Sequence, residues 1–166
     1  SISMMTENID YEKLASRILT SNLQKNCPYT FSEAMNILGF NSYDGKLDVY
    51  IQPQRDYLFD FFGLKTLMKM YLTKDEHGNI VETPQYMFMR VALAVSDDSI
   101  ESILETYEAL STKMYIHATP TLFNSGTKNP QNSSCFLVAM KNDSIEGIYD
   151  TKKECALISK YAGGIG

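Results

Sequence analysis

Apolar residues recur at helical spacing through the first two-thirds of the chain, with charged and polar residues between them. Spacings of three and four residues are typical of helices that bury one face. The first helix should bury a face made of Tyr11, Leu14, Ala15, Ile18 and Leu19. The pattern predicts helices at about 10–25, 31–38, 58–68, 84–96 and 100–110.

Polar residues with helix-capping chemistry precede several of the predicted helices. A capping side chain accepts a hydrogen bond from an N–H of the first turn. Proline suits the first helical position because that position needs no N–H donor. The predicted starts are Thr30 with Glu33, Thr83 with Pro84, Asp98 with Glu101, and Asp143 with Glu146.

Two stretches show strand patterns instead. Residues 71–83 hold two short β-prone runs around a polar turn at 77–79, which predicts a hairpin. Later in the chain, strand-like runs at about 115–118 and 134–140 are joined by a loop rich in turn residues. The helical pattern returns after residue 143, so the last third mixes strand and helix.

The 166 residues are 44% hydrophobic and 21% charged, a balance typical of one globular domain with a core. The net charge is −5, and the longest basic run is the pair Lys152-Lys153. A protein that binds DNA or RNA needs a basic face, so this composition argues against a nucleic-acid polymer as partner. A mononucleotide needs only a few donors around its phosphates and is compatible with the same composition.

Three cysteines at wide spacing form neither a CxxC pair nor a zinc pattern. We therefore expect no metal site in this chain and a reducing compartment. No apolar run approaches the roughly 18 residues of a membrane span, and the start of the chain lacks a signal-peptide pattern. We expect a cytoplasmic protein that does not engage a membrane.

Most of the residues with chemical potential lie after residue 115, and each also has a purely structural interpretation. Cys135 is either a buried small hydrophobe or a redox-active or nucleophilic thiol. The hydroxyls of Thr119 and Ser134 either cap turns or bind phosphate. Asp143 either caps a helix or accepts a hydrogen bond from a ribose, and Lys160, near a helix C-terminus, favours the helix dipole and faces solvent.

The stretch 117–166, HATPTLFNSGTKNPQNSSCFLVAMKNDSIEGIYDTKKECALISKYAGGIG, closely resembles the start of the catalytic barrel of class I ribonucleotide reductases. The match is to the large (α) subunit, above all to its eukaryotic and virus-like branch. Three earlier stretches resemble the helical N-terminal region of that subunit: DYEKLASRIL at 10–19, FDFFGLKTL at 59–67 and ETPQYMFMRVA at 82–92. The resemblance covers nearly the whole chain.

The resemblance implies an α+β and α/β fold in two parts. A mainly helical N-terminal region, 1–114, would lead into the first strands and the first helix of the family's ten-stranded α/β barrel, 115–166. The Asn-x-Cys-x-Glu motif that carries the family's radical cysteine does not occur in this chain. We therefore expect an incomplete barrel, from a split gene, a truncated subunit or a segment of a longer chain.

The resemblance also implies roles for individual residues. Cys135 would reduce the 2′ position of the substrate and form a disulfide with a later cysteine. Ser134 and Thr119 would lie near the substrate diphosphate, and the backbone of Gly164 would approach the substrate because glycine has no side chain. The implied binding site for the allosteric effector consists of Asp143, Ser144, Ile145 and Lys160.

The family supplies the expected partners and cofactors as well. The chain itself would bind no cofactor; a small subunit with a dinuclear metal site would supply the radical, and dNTP or ATP would act as effectors. Further partners would be the C-terminal remainder of the large subunit, a second α subunit, thioredoxin or glutaredoxin, and nucleoside diphosphates. The alternative function is a non-catalytic helical module for dimerisation or nucleotide binding.

Overall fold

The computed structural model describes residues 10–40, 45–97, 99–128, 130–161 and 163–166. Within these ranges the α-helices are α1 Asp10–Asn26, α2 Phe31–Ile37, α3 Phe61–Thr66, α4 Pro84–Val95, α5 Ile100–Ser111, α6 Thr119–Asn124 and α7 Ile145–Lys160. The strands are β1 Cys135–Phe136 and β2 Gly164–Ile165. Short 3₁₀ turns occur at Asp48–Tyr50 and Pro53–Leu58, and a π-helical turn at Leu67–Tyr71 follows α3 directly.

Helices α1 to α5 pack around a single apolar core, which confirms the predicted helical N-terminal region. Burial of such side chains supplies most of the free energy that holds the helices together. No helix in the described ranges is long and apolar enough to cross a membrane. The fully buried core side chains include Phe31, Met35, Leu64, Met87, Phe88, Ile103 and Leu110.

Helix α1 lies where the periodicity predicted it, but it buries a different face. Leu14 and Ile18 are both 47% exposed, so their place on the predicted buried face is wrong. The helix instead buries Ala15, Ser16, Thr20 and Leu23. Buried hydroxyls are tolerated when they are hydrogen-bonded: Thr20 Oγ1 donates to Ser16 O at 3.0 Å, and Ser16 Oγ donates to the carbonyl of Phe59.

The predicted caps are confirmed at Thr30 and Thr83, and the cap predicted at Asp143 is wrong. Asp98 lies outside the described residues, and the cap of α5 is Ser99, whose Oγ accepts from Ser102 N at 3.1 Å. Asp143 does not cap α7, because Ser144 Oγ accepts from Gly147 N at 3.0 Å. In both helices the observed cap is the serine that follows the predicted aspartate, because this serine takes the extended backbone of the cap.

The predicted hairpin at 71–83 is present as a short bridged turn. Lys74 and Ile80 form an antiparallel bridge, and the turn between them is held by Asp75 Oδ1, which accepts from His77 N and Asn79 N. Gly78 adopts φ +84° there, in the left-handed region that glycine occupies readily.

The prediction for 115–130 is wrong in two respects. Residues 115–118 form no strand, because no segment among the described residues offers them a ladder of hydrogen bonds. The stretch predicted as a loop contains helix α6, with Pro120 in its first turn, where the missing N–H has no cost. Gly126 then turns the chain with φ +75°.

The strand predicted at 134–140 shortens to β1, which pairs in parallel with β2. Its register aligns Cys135 with Gly164 and Phe136 with Ile165. Helix α7 connects the two strands and packs on β2, so β1, α7 and β2 form one βαβ unit. Sequence patterning missed β2, because two of the last three residues are glycines, which are depleted in strands.

A fully buried ion pair joins the hairpin, α4 and α6. Arg90 Nη2 lies 2.9 Å from Glu82 Oε1, and the two side chains are 1% and 0% exposed. Arg90 also donates to the carbonyls of Leu122 and Ser125, while Thr73 donates to Glu82 through both its N–H and its hydroxyl. Each charge is thus surrounded by hydrogen-bond partners, which is the condition under which a buried pair is tolerated.

The variant Arg90→Met should lower the free energy of unfolding by about 3–5 kcal/mol, since it leaves the Glu82 carboxylate buried without its counter-charge. Urea denaturation followed by circular dichroism measures the loss. The control is Arg55→Met, which breaks the more exposed pair with Glu108 (2.7 Å) and should cost under about 1 kcal/mol. Equal losses in the two variants would contradict the role assigned to the buried pair.

Asp56 is the other buried carboxyl of the helical region. Its Oδ1 accepts from Gln85 N at 3.2 Å and its Oδ2 from Gln24 Nε2 at 2.9 Å, so it ties the 3₁₀ turn at Pro53–Leu58 to α4 and α1. Burial raises the pKa of Asp56 to about 6, with the hydrogen bonds from Gln24 and Gln85 opposing that shift. Folding therefore raises the pH at which this carboxyl loses its proton.

Because the folded pKa of Asp56 is raised, its contribution to stability is complete below about pH 4 and is lost as pH rises through about 6. The loss amounts to about 3 kcal/mol. Urea titrations of the wild type and of Asp56→Asn at intervals from pH 4 to 7.5 should show the wild type losing stability relative to the variant. A constant difference, or a carbon NMR titration that gives Asp56 an ordinary pKa, would refute this.

Candidate functional site

The pairing of β1 with β2 brings three of the predicted site residues together. Cys135 lies opposite Gly164 in the parallel register, and Gly164 N donates to Ser134 O at 2.8 Å. The next hydrogen bond of the ladder runs from Gly166 N to Phe136 O at 2.9 Å. The thiol, the neighbouring serine and the glycine backbone therefore share one exposed strip of the βαβ unit.

Gly164 keeps the space beside the thiol open. A Cβ at this position would lie 3.3 Å from Cys135 Sγ and 3.3 Å from Ser134 O, tighter than ordinary van der Waals contact. A Cβ on Gly163 would lie 2.7 Å from Ile158 Cγ2 and 2.8 Å from the Phe136 ring. A side chain at Gly163 would therefore force Ile158 or Phe136 to shift, whereas a side chain at Gly164 would crowd Cys135 and Ser134 more mildly.

The three cysteines lie in different surroundings. Cys135 is exposed, so its interpretation as a buried small hydrophobe is wrong. Cys27 is buried, and that burial raises the pKa of its thiol to about 11, which keeps it protonated and unreactive. Cys155 is half-buried in the middle of α7. Of the three thiols, Cys135 is the one open to a ligand.

Thr119 is connected to this strip through the loop that leads into β1. It is the first residue of α6, and α6 and the turn after it contact Asn132: Thr121 Oγ1 donates to Asn132 O at 3.5 Å, and Ser125 Oγ donates to Asn132 Oδ1 at 3.1 Å. Residues 133–135 follow Asn132 directly, so these hydrogen bonds connect α6 to the segment that carries the Cys135 thiol.

Tyr71 is a polar residue of this region that sequence reasoning missed. Its hydroxyl lies 3.1 Å from Thr119 Oγ1. The two residues are 48 positions apart, and Tyr71 lies in an apolar run where nothing distinguishes it from a core aromatic. Only the chain's tertiary packing reveals the contact.

The residues predicted to bind an effector fall into two groups. Asp143, Ser144 and Ile145 are exposed together at the N-terminal end of α7, where a helix favours negatively charged ligands. Lys160 is the last residue of α7, and a rise of 1.5 Å per residue separates it from Ile145 by about 22 Å. The structure therefore does not bring Lys160 to the other three within one chain.

The outer face of α7 carries exposed apolar side chains. Ile145 is 75% exposed and Tyr149, one turn later, is 64% exposed. Lys152 Nζ lies 5.2 Å from the centre of the Tyr149 ring, within the range of a cation–π contact. Exposed apolar and aromatic side chains that lie close together are typical of a surface that packs against another protein.

Two family models match the chain, and both describe ribonucleotide reductase. Residues 57–130 match its all-alpha domain, and residues 133–166 match its barrel domain. The first range holds α3 to α6, and the second holds β1, α7 and β2. The fold is thus an all-alpha region followed by the start of the barrel, as predicted.

Curated relatives support the same assignment. The large subunit of ribonucleoside-diphosphate reductase from Arabidopsis thaliana is 46% identical over 185 residues, covering 99% of this chain and 22% of the relative. The large subunit from Variola virus is 48% identical over 182 residues, which cover 97% of this chain and 24% of the relative. The large subunit from Danio rerio is 47% identical, with 97% of this chain and 23% of the relative covered.

This chain spans about a fifth to a quarter of the length of these relatives. The alignment to the Arabidopsis protein is 185 positions long, and this chain has 166 residues. At least 19 positions of the alignment therefore have no counterpart in this chain. The alignments cover both matched domains, which agrees with the resemblance found in the sequence. The chain therefore belongs to the ribonucleotide reductase family, in which it corresponds to the all-alpha domain and the beginning of the barrel domain of the large subunit.

Proposed function

We propose that this chain is part of the large subunit of a ribonucleoside-diphosphate reductase and that Cys135 is one of its two reducing thiols. The observation that carries the proposal is the pairing of an exposed Cys135 with Gly164, which leaves the thiol beside an open strip of backbone. The relatives, named as reductases, favour this enzyme over a non-catalytic module for dimerisation or nucleotide binding.

The proposed chemistry replaces the 2′-hydroxyl of the ribose with hydrogen. The hydroxyl leaves as water, and two thiols lose two electrons and two protons as they form a disulfide. Cys135 supplies one thiol, and a cysteine in the remainder of the large subunit supplies the other, since Cys27 is buried and Cys155 lies inside α7. Thioredoxin or glutaredoxin then reduces the disulfide for the next turnover.

The radical that starts the reaction comes, in this proposal, from a small subunit with a dinuclear metal site. The substrate is a nucleoside diphosphate, whose phosphates receive hydrogen bonds from the hydroxyls of Thr119 and Ser134. The backbone at Gly164 forms the floor of that site, where a side chain would crowd Cys135 Sγ. We place the complete assembly in the cytoplasm.

The N-terminal end of α7 is proposed to bind dNTP or ATP effectors. Asp143 accepts a hydrogen bond from the deoxyribose, and Ser144 and Ile145 line the same site. Lys160 lies about 22 Å away along the helix, so it reaches an effector only if a second α subunit packs its own α7 alongside in the opposite direction. The exposed Ile145 and Tyr149 support such a dimer, and effector binding is then coupled to dimerisation.

The remainder of the large subunit is proposed to cover the free side of β1. Leu137, just beyond β1, is 95% exposed, and Met140 is 70% exposed. They line an open groove of about 630 Å³ between the strand and α7, with Leu157 on its other wall. Further barrel strands and helices would remove this apolar surface from water.

Cys135→Ser should abolish nucleoside-diphosphate reduction when the chain is assembled with the remainder of the large subunit, a small subunit and a reductant. A serine hydroxyl cannot form the disulfide that releases the two electrons. The thermal midpoint should not change, because Cys135 is exposed and serine has nearly the same shape. Cys155→Ser is the control and should retain turnover; a Cys135→Ser protein that still reduces substrate would remove the proposed role.

Asp143→Asn should raise the dTTP concentration needed for half-maximal change in substrate preference by about tenfold or more, the usual loss for a charge-assisted hydrogen bond. Competition between nucleoside diphosphates at rising dTTP measures this. The matched control is Asp150→Asn on the same helix, whose carboxylate pairs with Lys141 at 3.6 Å. If both substitutions change the response equally, Asp143 is not an effector ligand.

A further inference from the structure

Tyr71 ends the π-helical turn at Leu67–Tyr71 and projects from the helical region toward α6. Such wide turns are rare and occur often at functional sites, because they displace the residues that follow. Here the turn closes with a hydrogen bond from Leu72 N to Leu67 O at 2.9 Å, five residues apart. The result is a tyrosine hydroxyl in contact with a residue of the proposed substrate site.

Two contacts fix the Tyr71 side chain against α6. The hydroxyl lies 3.1 Å from Thr119 Oγ1, and the ring stacks on Phe123 with centroids 4.7 Å apart and planes inclined by 22°. Thr119 and Phe123 are four residues apart, so they occupy the same face of α6. Tyr71 therefore contacts that face through its ring and its hydroxyl at once.

The backbones on both sides of this contact are held by the same buried ion pair. Glu82 accepts two hydrogen bonds from Thr73, two residues after Tyr71, at 2.8 and 2.7 Å. Arg90 donates to Leu122 O, within α6, at 3.1 Å. The hydroxyl of Tyr71 and that of Thr119 consequently meet in a fixed geometry, although Thr119 itself is exposed.

We propose that Tyr71 is a positioning residue for the substrate diphosphate, which it reaches through Thr119. The proposal rests on the function proposed above, in which the Thr119 hydroxyl binds a phosphate oxygen. A hydroxyl has one proton to donate and two lone pairs. When Tyr71 donates to Thr119 Oγ1, the Thr119 proton is left free for the phosphate, and hydrogen bonds aligned in this way strengthen one another.

The contact between Tyr71 and Thr119 matters because it decides the direction of the threonine proton. A phosphate oxygen is only an acceptor, so it gains from Thr119 only when the threonine proton points toward it. Without Tyr71 the threonine hydroxyl is free to rotate, and part of its population donates elsewhere. Loss of the tyrosine hydroxyl should therefore weaken substrate binding without touching the thiol chemistry at Cys135.

The test is a double-mutant cycle in the full assembly of this chain, the remainder of the large subunit and a small subunit. The variants are Tyr71→Phe, Thr119→Val and both together, each assayed for KM and kcat with a nucleoside diphosphate. Tyr71→Phe keeps the ring on Phe123 and removes only the hydroxyl. It should raise KM about 3- to 10-fold, the usual worth of one hydrogen bond, and leave kcat within twofold or so.

The double variant decides whether the tyrosine acts through the threonine. Thr119→Val alone should raise KM, and adding Tyr71→Phe to it should raise KM no further. If Tyr71→Phe has the same effect in both backgrounds, or none in the wild type, the positioning role is overturned while Thr119 keeps its proposed role. If Thr119→Val leaves KM unchanged, the proposed substrate contact fails, and the positioning role fails with it.

Tyr57→Phe is the matched control for loss of a tyrosine hydroxyl. Its hydroxyl lies 2.9 Å from Ser21 Oγ at an exposed position, an equivalent side-chain pair that lies between α1 and the 3₁₀ turn at Pro53–Leu58. This variant should change neither KM nor kcat. Thermal midpoints of Tyr57→Phe and Tyr71→Phe should agree within a few degrees; a Tyr71→Phe effect on midpoint but not on KM would make the residue structural only.

Discussion

The buried pair of Glu82 and Arg90 is the interaction on which the candidate site depends. It connects the hairpin, α4 and α6, and α6 in turn holds the loop that leads into β1. Two charges in the interior are tolerated only where their donors and acceptors find partners. The pair therefore favours the one arrangement of the hairpin, α4 and α6 that supplies those partners. An apolar contact of the same size would allow α6 to shift, because hydrophobic attraction has no preferred direction.

The sequence predicted those elements whose signals are local. Helices α1, α2, α4, α5 and α7 were found because apolar period and capping chemistry lie within one or two turns of each other. The missed elements depend on distant partners. Strand β2 forms because Gly164 N donates to Ser134 O beside β1, and α6 is held because Arg90 donates to its Leu122 carbonyl. The caps at Ser99 and Ser144 were misplaced by one residue, since two adjacent capping residues compete on nearly equal terms.

The candidate site likewise combines features that the sequence could predict with features that depend on distant partners. Patterning left Cys135 with two interpretations, and resemblance to a family supplied the role that is proposed for it. Neither patterning nor resemblance could show which residues are neighbours in space. Gly164 lies beside the Cys135 thiol and Tyr71 lies beside Thr119 because of the way the chain folds. The separation of Lys160 from Asp143 follows from the length of α7 alone. The division of the chain at residue 115 stays a prediction, and the two family models meet between 130 and 133.

The π-helical turn sets the direction in which the Tyr71 ring projects. This direction depends on the number of residues in the segment from Phe61 to Tyr71 more than on their types. A helix turns about 100° per residue, so gaining or losing one residue between Phe61 and Tyr71 would swing the tyrosine ring off Phe123 and out of line with α6. The exposed tip at 76–79 carries no such constraint, because its contacts are internal to the turn. These two neighbouring segments should therefore differ sharply in their evolutionary tolerance of insertions and deletions.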